Sequence, residues 1–249
     1  MLLLGVDLET GHPFSVKPQD KDTLITEVGM IQWDTELKCP VEIFGKILDL
    51  GKEVDSEPAS VTGITTEVVK KHGVKVTSHL VEEMYRMVQK ADYLVAQNGM
   101  FFDKPILETF FKEWGIDISD KKWLDTMSDV DYPPNCRHNN LVYLTGYHGL
   151  INNFSHRAVG DVMVMLQVLD RYDLDKVIAN ALSDKLVVKA VVSYDNKDQA
   201  KKAGFNWERI YGKNYPSQWV QVARENELEA LRAQLSFPIE VVEVWSSQK

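Results

Sequence analysis

The sequence has no apolar run that approaches the ~18 residues a membrane-crossing helix requires. Its apolar start, Leu2 to Leu4, lacks a basic flank and meets Asp7 at once, so no secretory leader is expected. Cysteine is scarce. Cys39 and Cys136 fit no metal-binding spacing and are expected as reduced thiols in a cytoplasmic setting. Positive charge is also short: 28 Lys and Arg face 37 Asp and Glu, a net charge of −9. That excludes a bulk electrostatic grip on nucleic acid as the basis of function. The acid excess lies ahead of residue 184, and the remainder is close to balance. No long-range repeat is visible.

What remains is an ordinary soluble composition over 249 residues, enough for one large domain or one domain and a small one. The first ten residues, MLLLGVDLET, organise the chain. An apolar run feeds Asp7 and Glu9, two positions apart, and on a strand such residues share a face. Two carboxylates on one face repel unless one takes up a proton or a cation sits between them. Hard oxygen ligands favour Mg²⁺ or Mn²⁺. Taken alone, the pair is a weak signal, since acidic pairs at strand ends are common solvated features.

Further along, TLITEVGMIQW and VEIFGKILDL are predicted strands, and GKEVDSEPASVTGIT, with Pro58 and Gly63, is predicted irregular. Apolar spacing predicts a helix over 77–91, capped by Thr77 or Ser78. Tyr93 to Ala96 and WLDT are predicted short strands. A helix starts near Pro105, another after Asn139 or Asn140, and a long one runs from about Ala158 to Tyr172. Strands followed by alternating strand and helix predict an α/β sheet with helices on both faces. Residues 174–185 are a plausible boundary. A domain of 1–180 followed by a small α+β domain of 185–249 is expected.

Two more acids fall at helix starts. Asp103 fits an N-cap, and Asp161 fits a partner for the helix dipole. His156 precedes Asp161 by five residues, so the loop before that helix is where it could face the same site. Phosphodiester hydrolysis joins all five residues. Two divalent ions can hold the scissile phosphate and activate a water, four carboxylates can hold the ions, and an imidazole can take the proton.

These segments resemble the DEDDh group of 3′–5′ exonucleases. DLET matches the first motif of that group, LVAQNGMFFDKPIL the second, and SHRAVGDVMVMLQVL the third, with its H-R-A-x-x-D core. TEVGMIQW, VTGIT and WLDT match the segments between, and the resemblance covers roughly residues 1–175. It implies an RNase H-like mixed five-stranded sheet with helices on both faces. It also implies Asp7, Glu9, Asp103 and Asp161 as ligands of two Mg²⁺ or Mn²⁺ ions, and His156 as general base. Thr10, Asn98 and Phe102 are the implied substrate contacts. The chain departs from the pattern in placing Asp103 one residue further from Asn98 and in carrying Gln97 where relatives often have His.

The expected function is a 3′–5′ exonuclease that acts on single-stranded DNA ends and releases 5′-mononucleotides. A polymerase or a replication or repair protein is the expected kind of partner, and no membrane is involved. Trimming of RNA or oligoribonucleotides is the alternative with the same mechanism. A non-catalytic binding module is the alternative from another class. In the last part of the chain, Phe205, Trp207, Tyr211, Tyr215 and Trp219 interleave with Lys201, Lys202, Arg209 and Lys213. The pattern fits a single-strand platform or the core of a small domain.

Overall fold

The structure is a computed structural model that describes residues 1–12, 24–208 and 217–244. The chain divides into two compact units, Met1–Ala181 and Leu182–Lys249. In the first, β1 (Leu2–Thr10), β2 (Ile25–Asp34) and β3 (Cys39–Asp49) form an antiparallel meander. β5 (Tyr93–Ala96) pairs parallel with β1, and β6 (Trp123–Asp125) pairs parallel with β5. The two-residue β4 (Val74–Lys75) joins the far edge of β3, giving the order β4-β3-β2-β1-β5-β6. The sheet thus has six strands where the resemblance implied five. Two residues carry no alternation that a sequence could reveal.

Alternation along β1 assigns its two faces. Leu4, Val6 and Leu8 enter a core with Met84 of α3 (Ser78–Lys90) and Leu107 and Phe111 of α4 (Asp103–Glu113). Leu3, on the other face, packs with Val162, Met165 and Leu166 of α6 (Ala158–Leu169). Thr77 caps α3 by accepting from the Leu80 N–H, and Asn140 caps α5 (Leu141–Tyr147) by accepting from the Tyr143 N–H. α6 ends at Leu169, short of Tyr172.

One prediction fails locally. The stretch read as irregular forms α1 (Ser56–Thr62), followed by α2 (Thr66–His72). Pro58 sits in the first turn of α1, where its missing N–H costs nothing, and Gly63 ends the helix at φ 72°. Both residues punctuate a short helix and do not prevent it. Residues 174–185, the expected boundary region, carry α7 (Leu174–Leu182), and the division into units, after Ala181, falls within them.

The second unit is a four-stranded antiparallel sheet, β7 (Lys185–Ala190), β8 (Asn206–Glu208), β9 (Gln218–Arg224) and β10 (Ile239–Val244), in the order β10-β7-β9-β8. α8 (Lys197–Lys202) and α9 (Leu228–Gln234) complete it. Phe205 is buried in its core with Leu186, Val188, Leu228 and Ile239, and Trp219 packs against them. Trp207 is exposed. Tyr211, Tyr215, Arg209 and Lys213 lie outside the described residues. Among the described residues no helix is long and apolar enough to cross a membrane.

Candidate active site

Asp7 and Glu9 leave β1 on the face that α6 covers. Opposite them on β2 stand Gly29 and Glu27. Gly29 is a position of close backbone approach. A Cβ there would lie 2.5 Å from the Ala158 carbonyl carbon and 2.6 Å from the Val159 nitrogen. α6 therefore begins directly on the β2 backbone. Gly45, opposite Gly29 on β3, leaves room for the Val159 side chain in the same way. This glycine pair lets α6 set Asp161, in its first turn, beside Asp7 and Glu9.

Asp103 does not cap α4. The N-cap is Phe102, which makes no side-chain cap bond, and Asp103 is the first helical residue. Its buried Oδ1 instead accepts from the Leu8 N–H at 2.9 Å. β5 stops pairing with β1 at Gly5, so Asp103 takes up a β1 donor beyond the end of that ladder. Asp161 Oδ2 accepts from the His156 N–H at 2.9 Å, and Oδ1 accepts from the Asn152 side chain. His156 sits on the loop ahead of α6 at φ 61°. Its ring nitrogen, a Glu9 oxygen and an Asp161 oxygen all lie within 4.8 Å of one another.

Sequence reasoning missed two supports. Glu27, buried on β2, accepts from Arg157 Nε at 3.0 Å and from its terminal nitrogen at 2.7 Å. It also accepts from the Ala158 N–H at 3.0 Å. This one carboxylate fixes the start of α6 directly after His156. The available signal was an acid inside an otherwise buried strand, which requires a partner. The second support is Asp125 of β6, which accepts from the Asn98 and Met127 N–H groups at 2.9 Å and from that of Met100 at 3.3 Å. It holds the turn that leads to Asp103. Asn98 is exposed in that turn at φ 59°. Thr10 is half-buried beyond a register shift at Glu9 and Thr10. Phe102 packs against the core, and Phe101 is the exposed ring.

The electrostatics are those of crowded acids. Burial first, then Asp103, Glu9, Asp161 and Glu27, push the Asp7 carboxyl well above the usual range. Burial and the neighbouring acids push Glu9 up to about 8, against the pull of Arg157. Burial pushes Asp103 to about 7, opposed by its backbone hydrogen bonds. Asp161 is raised by burial and held back by His156 and Asn152. Asp7 Oδ2 is buried without a hydrogen-bond partner. An orphaned carboxylate oxygen in the company of Glu9, Asp103 and Asp161, all oxygen donors, suits a hard divalent cation.

The same shifts give a stability prediction. Between pH 4.5 and about 8 the folded metal-free protein keeps a proton on Glu9 that the unfolded chain has released. Asp103 does the same from 3.8 to about 7. Unfolding therefore releases protons in this window, and stability falls as pH rises through it. The melting temperature of EDTA-treated protein is expected to drop by roughly 5–10 °C between pH 5 and pH 9. Millimolar Mn²⁺ should restore most of the loss at the upper end, and calorimetry at both pH values checks this.

The exonuclease family of the RNase T type matches residues 4–169, two thirds of the chain. The chain belongs to this exonuclease family. Escherichia coli exonuclease I, in complex with a dA16 oligonucleotide, is similar in fold. Its TM-score is 0.65 at 14% identity, over 95% of this chain and 68% of that one. A zinc-bound form of the E. coli enzyme with single-stranded DNA gives 0.61 at 14% identity, over 96% and 64%. The nuclease domain of 3′hExo, a DEDDh family member bound to rAMP, gives 0.53 at 13% identity, over 68% and 90%. No curated protein sequence matches the chain.

Proposed function

We propose that the chain hydrolyses the terminal phosphodiester of single-stranded DNA at its 3′ end and releases 5′-mononucleotides. The observation that carries this reading is the meeting of Glu9, Asp161 and the His156 ring within 4.8 Å, next to Asp7, whose carboxyl is raised by the charges of Asp103, Glu9 and Asp161. The four carboxylates would hold two Mg²⁺ or Mn²⁺ ions. Bound there, the ions would supply charge for the phosphate oxygens and a hydroxide-like nucleophile at neutral pH. His156 takes the proton as the water oxygen bonds to phosphorus and the bond to the 3′ oxygen breaks. Asp161 and Glu27 hold the backbone on both sides of that imidazole.

DNA is favoured over RNA because the likeness to E. coli exonuclease I extends over 95% of the chain, whereas that to 3′hExo stops at 68%. The test is digestion of end-labelled single- and double-stranded DNA and RNA by the full chain, with Mn²⁺ or EDTA. Stepwise loss of 3′ nucleotides from single-stranded DNA, blocked by EDTA, is expected. Failure to degrade any of the four would contradict the reading. His156→Ala is expected to lower kcat by about 10²–10⁴ and to change the Mn²⁺ affinity much less, which isothermal titration would separate.

A further inference from the structure

The sheet of the first unit has an open edge. β3 pairs with β2 along one side, and on the other side β4 takes up only Leu48 and Asp49. Among the described residues no strand lies against that side ahead of Leu48. Such a row of backbone donors and acceptors is a template for another strand. Its usable length is bounded at both ends. Pro40 has no N–H to offer, and Val41 is the extra residue where the register shifts against Gln32 and Trp33. β4 closes the other end at Leu48. Glu42 to Ile47 remain.

The side chains of this stretch complement themselves. Glu42, Phe44 and Lys46 stand opposite Gln32, Met30 and Val28 on one face of the sheet, and Ile43, Gly45 and Ile47 opposite Ile31, Gly29 and Glu27 on the other. Two copies joined antiparallel at this edge by a two-fold axis keep like faces level, so the axis passes through a residue. With Phe44 on the axis, Glu42 of each copy meets Lys46 of the other, and Ile43 meets Gly45. With Ile43 or Gly45 on the axis, both charge pairs are lost. Lys46 is exposed, and Glu42 is held on the same face by Arg86 and Lys90 of α3. On the opposite face Ile43 is 53% exposed, and the Val159 side chain fills the space above Gly45. In the pair, the bare Ile43 of one copy gains the Val159 of the other as an apolar neighbour.

We propose that the free stretch of β3 pairs with the same stretch of a second copy of this chain, centred on Phe44, to form a symmetric dimer with one continuous sheet. The contact is short, so the dimer is a weak one in exchange with monomer. It does not depend on the exonuclease reading. Because the axis stands perpendicular to the sheet, the two carboxylate clusters face the same side of it.

The test is sedimentation velocity on the full chain from about 1 to about 200 µM, the span in which a small interface dissociates. The parent is expected to pass from monomer to dimer across it. Lys46→Glu sets acid against acid at both pairs, and Glu42→Lys sets base against base. Each alone is expected to raise the dissociation constant about tenfold. An equimolar mixture of the two variants restores opposite charges at both pairs and is expected to dimerise as the parent does. Glu42→Lys gives up the ion pairs to Arg86 and Lys90. Should it fail to fold, Lys46→Glu and Ile43→Thr carry the test, the latter with an expected rise of about fivefold. A parent that stays monomeric throughout overturns the second copy as the occupant of this edge, in favour of an extended segment of another protein. Dimerisation that none of these changes alters places the contact elsewhere and overturns the proposal as well.

Discussion

Asp7→Asn is expected to lower kcat by about a thousandfold and, at the same time, to make the metal-free protein more stable. Loss of one preorganised charge at a reacting centre typically costs about 10²–10³ in rate, and Asp7 has four acidic neighbours in this site. Stability moves the other way. The Asp7 carboxylate is crowded by four acids, and its buried Oδ2 has no partner. An amide of the same shape removes that repulsion. Because the carboxyl is raised, the gain is small below its ordinary titration range and grows as pH rises. At pH 9, in EDTA, an increase of about 1–3 kcal/mol is expected, or several degrees in melting temperature. Added Mn²⁺ should then stabilise the unmodified protein more than the variant. A variant that retains activity, or that melts below the parent in EDTA, would contradict this.

Gly29→Ala is the second large effect, although no side chain of the site is changed. The added methyl would sit 2.5 Å from the Ala158 carbonyl carbon and 2.6 Å from the Val159 nitrogen. Both are backbone atoms and cannot rotate away. The start of α6 must therefore lift by roughly an ångström, taking Asp161 and the His156 loop with it. A displacement of that size can cost about 10²-fold in rate, and the overpacking about 1–3 kcal/mol in stability. Gly146→Ala is the matched control. Gly146 lies in α5, and a Cβ there meets nothing within 4 Å. That change should leave kcat as it is and stabilise by up to about 1 kcal/mol. Equal behaviour of the two variants in kinetics and calorimetry would remove the argument for a backbone contact beneath the site.

The site's acids were legible because each sits in a local pattern. Asp7 and Glu9 share a strand face by their spacing. Asp103 and Asp161 stand at helix starts that the flanking apolar periodicity marks. The His156 loop position follows from the same geometry, since a helical step of five would have turned it away from Asp161. Helix caps were legible for the same reason, because Thr77 and Asn140 act on backbone groups three residues away.

What escaped the sequence is carried by long-range partners. Nothing near Glu27 announces Arg157, 130 residues away. The role of Gly29 depends on which helix lands on it. Asp125 was visible only as part of a short strand, yet it gathers three N–H groups from two separate turns. Asp103 looks like a cap because Asp often is one, but an open donor at Leu8 takes its side chain instead. α1 was missed because Pro58 and Gly63 were read as breakers, although their positions are those that begin and end a short helix. The C-terminal aromatics divide in the same way: Phe205 serves the core and Trp207 does not.

The most direct test of the convergence of these acids on metal is anomalous diffraction from crystals of the full chain grown with Mn²⁺. Two peaks about 4 Å apart, enclosed by the carboxylates of Asp7, Glu9, Asp103 and Asp161, are expected, and Asp7→Asn should lose at least one of them. Fully occupied Mn²⁺ elsewhere on the protein, with no density among these four side chains, would contradict the proposal.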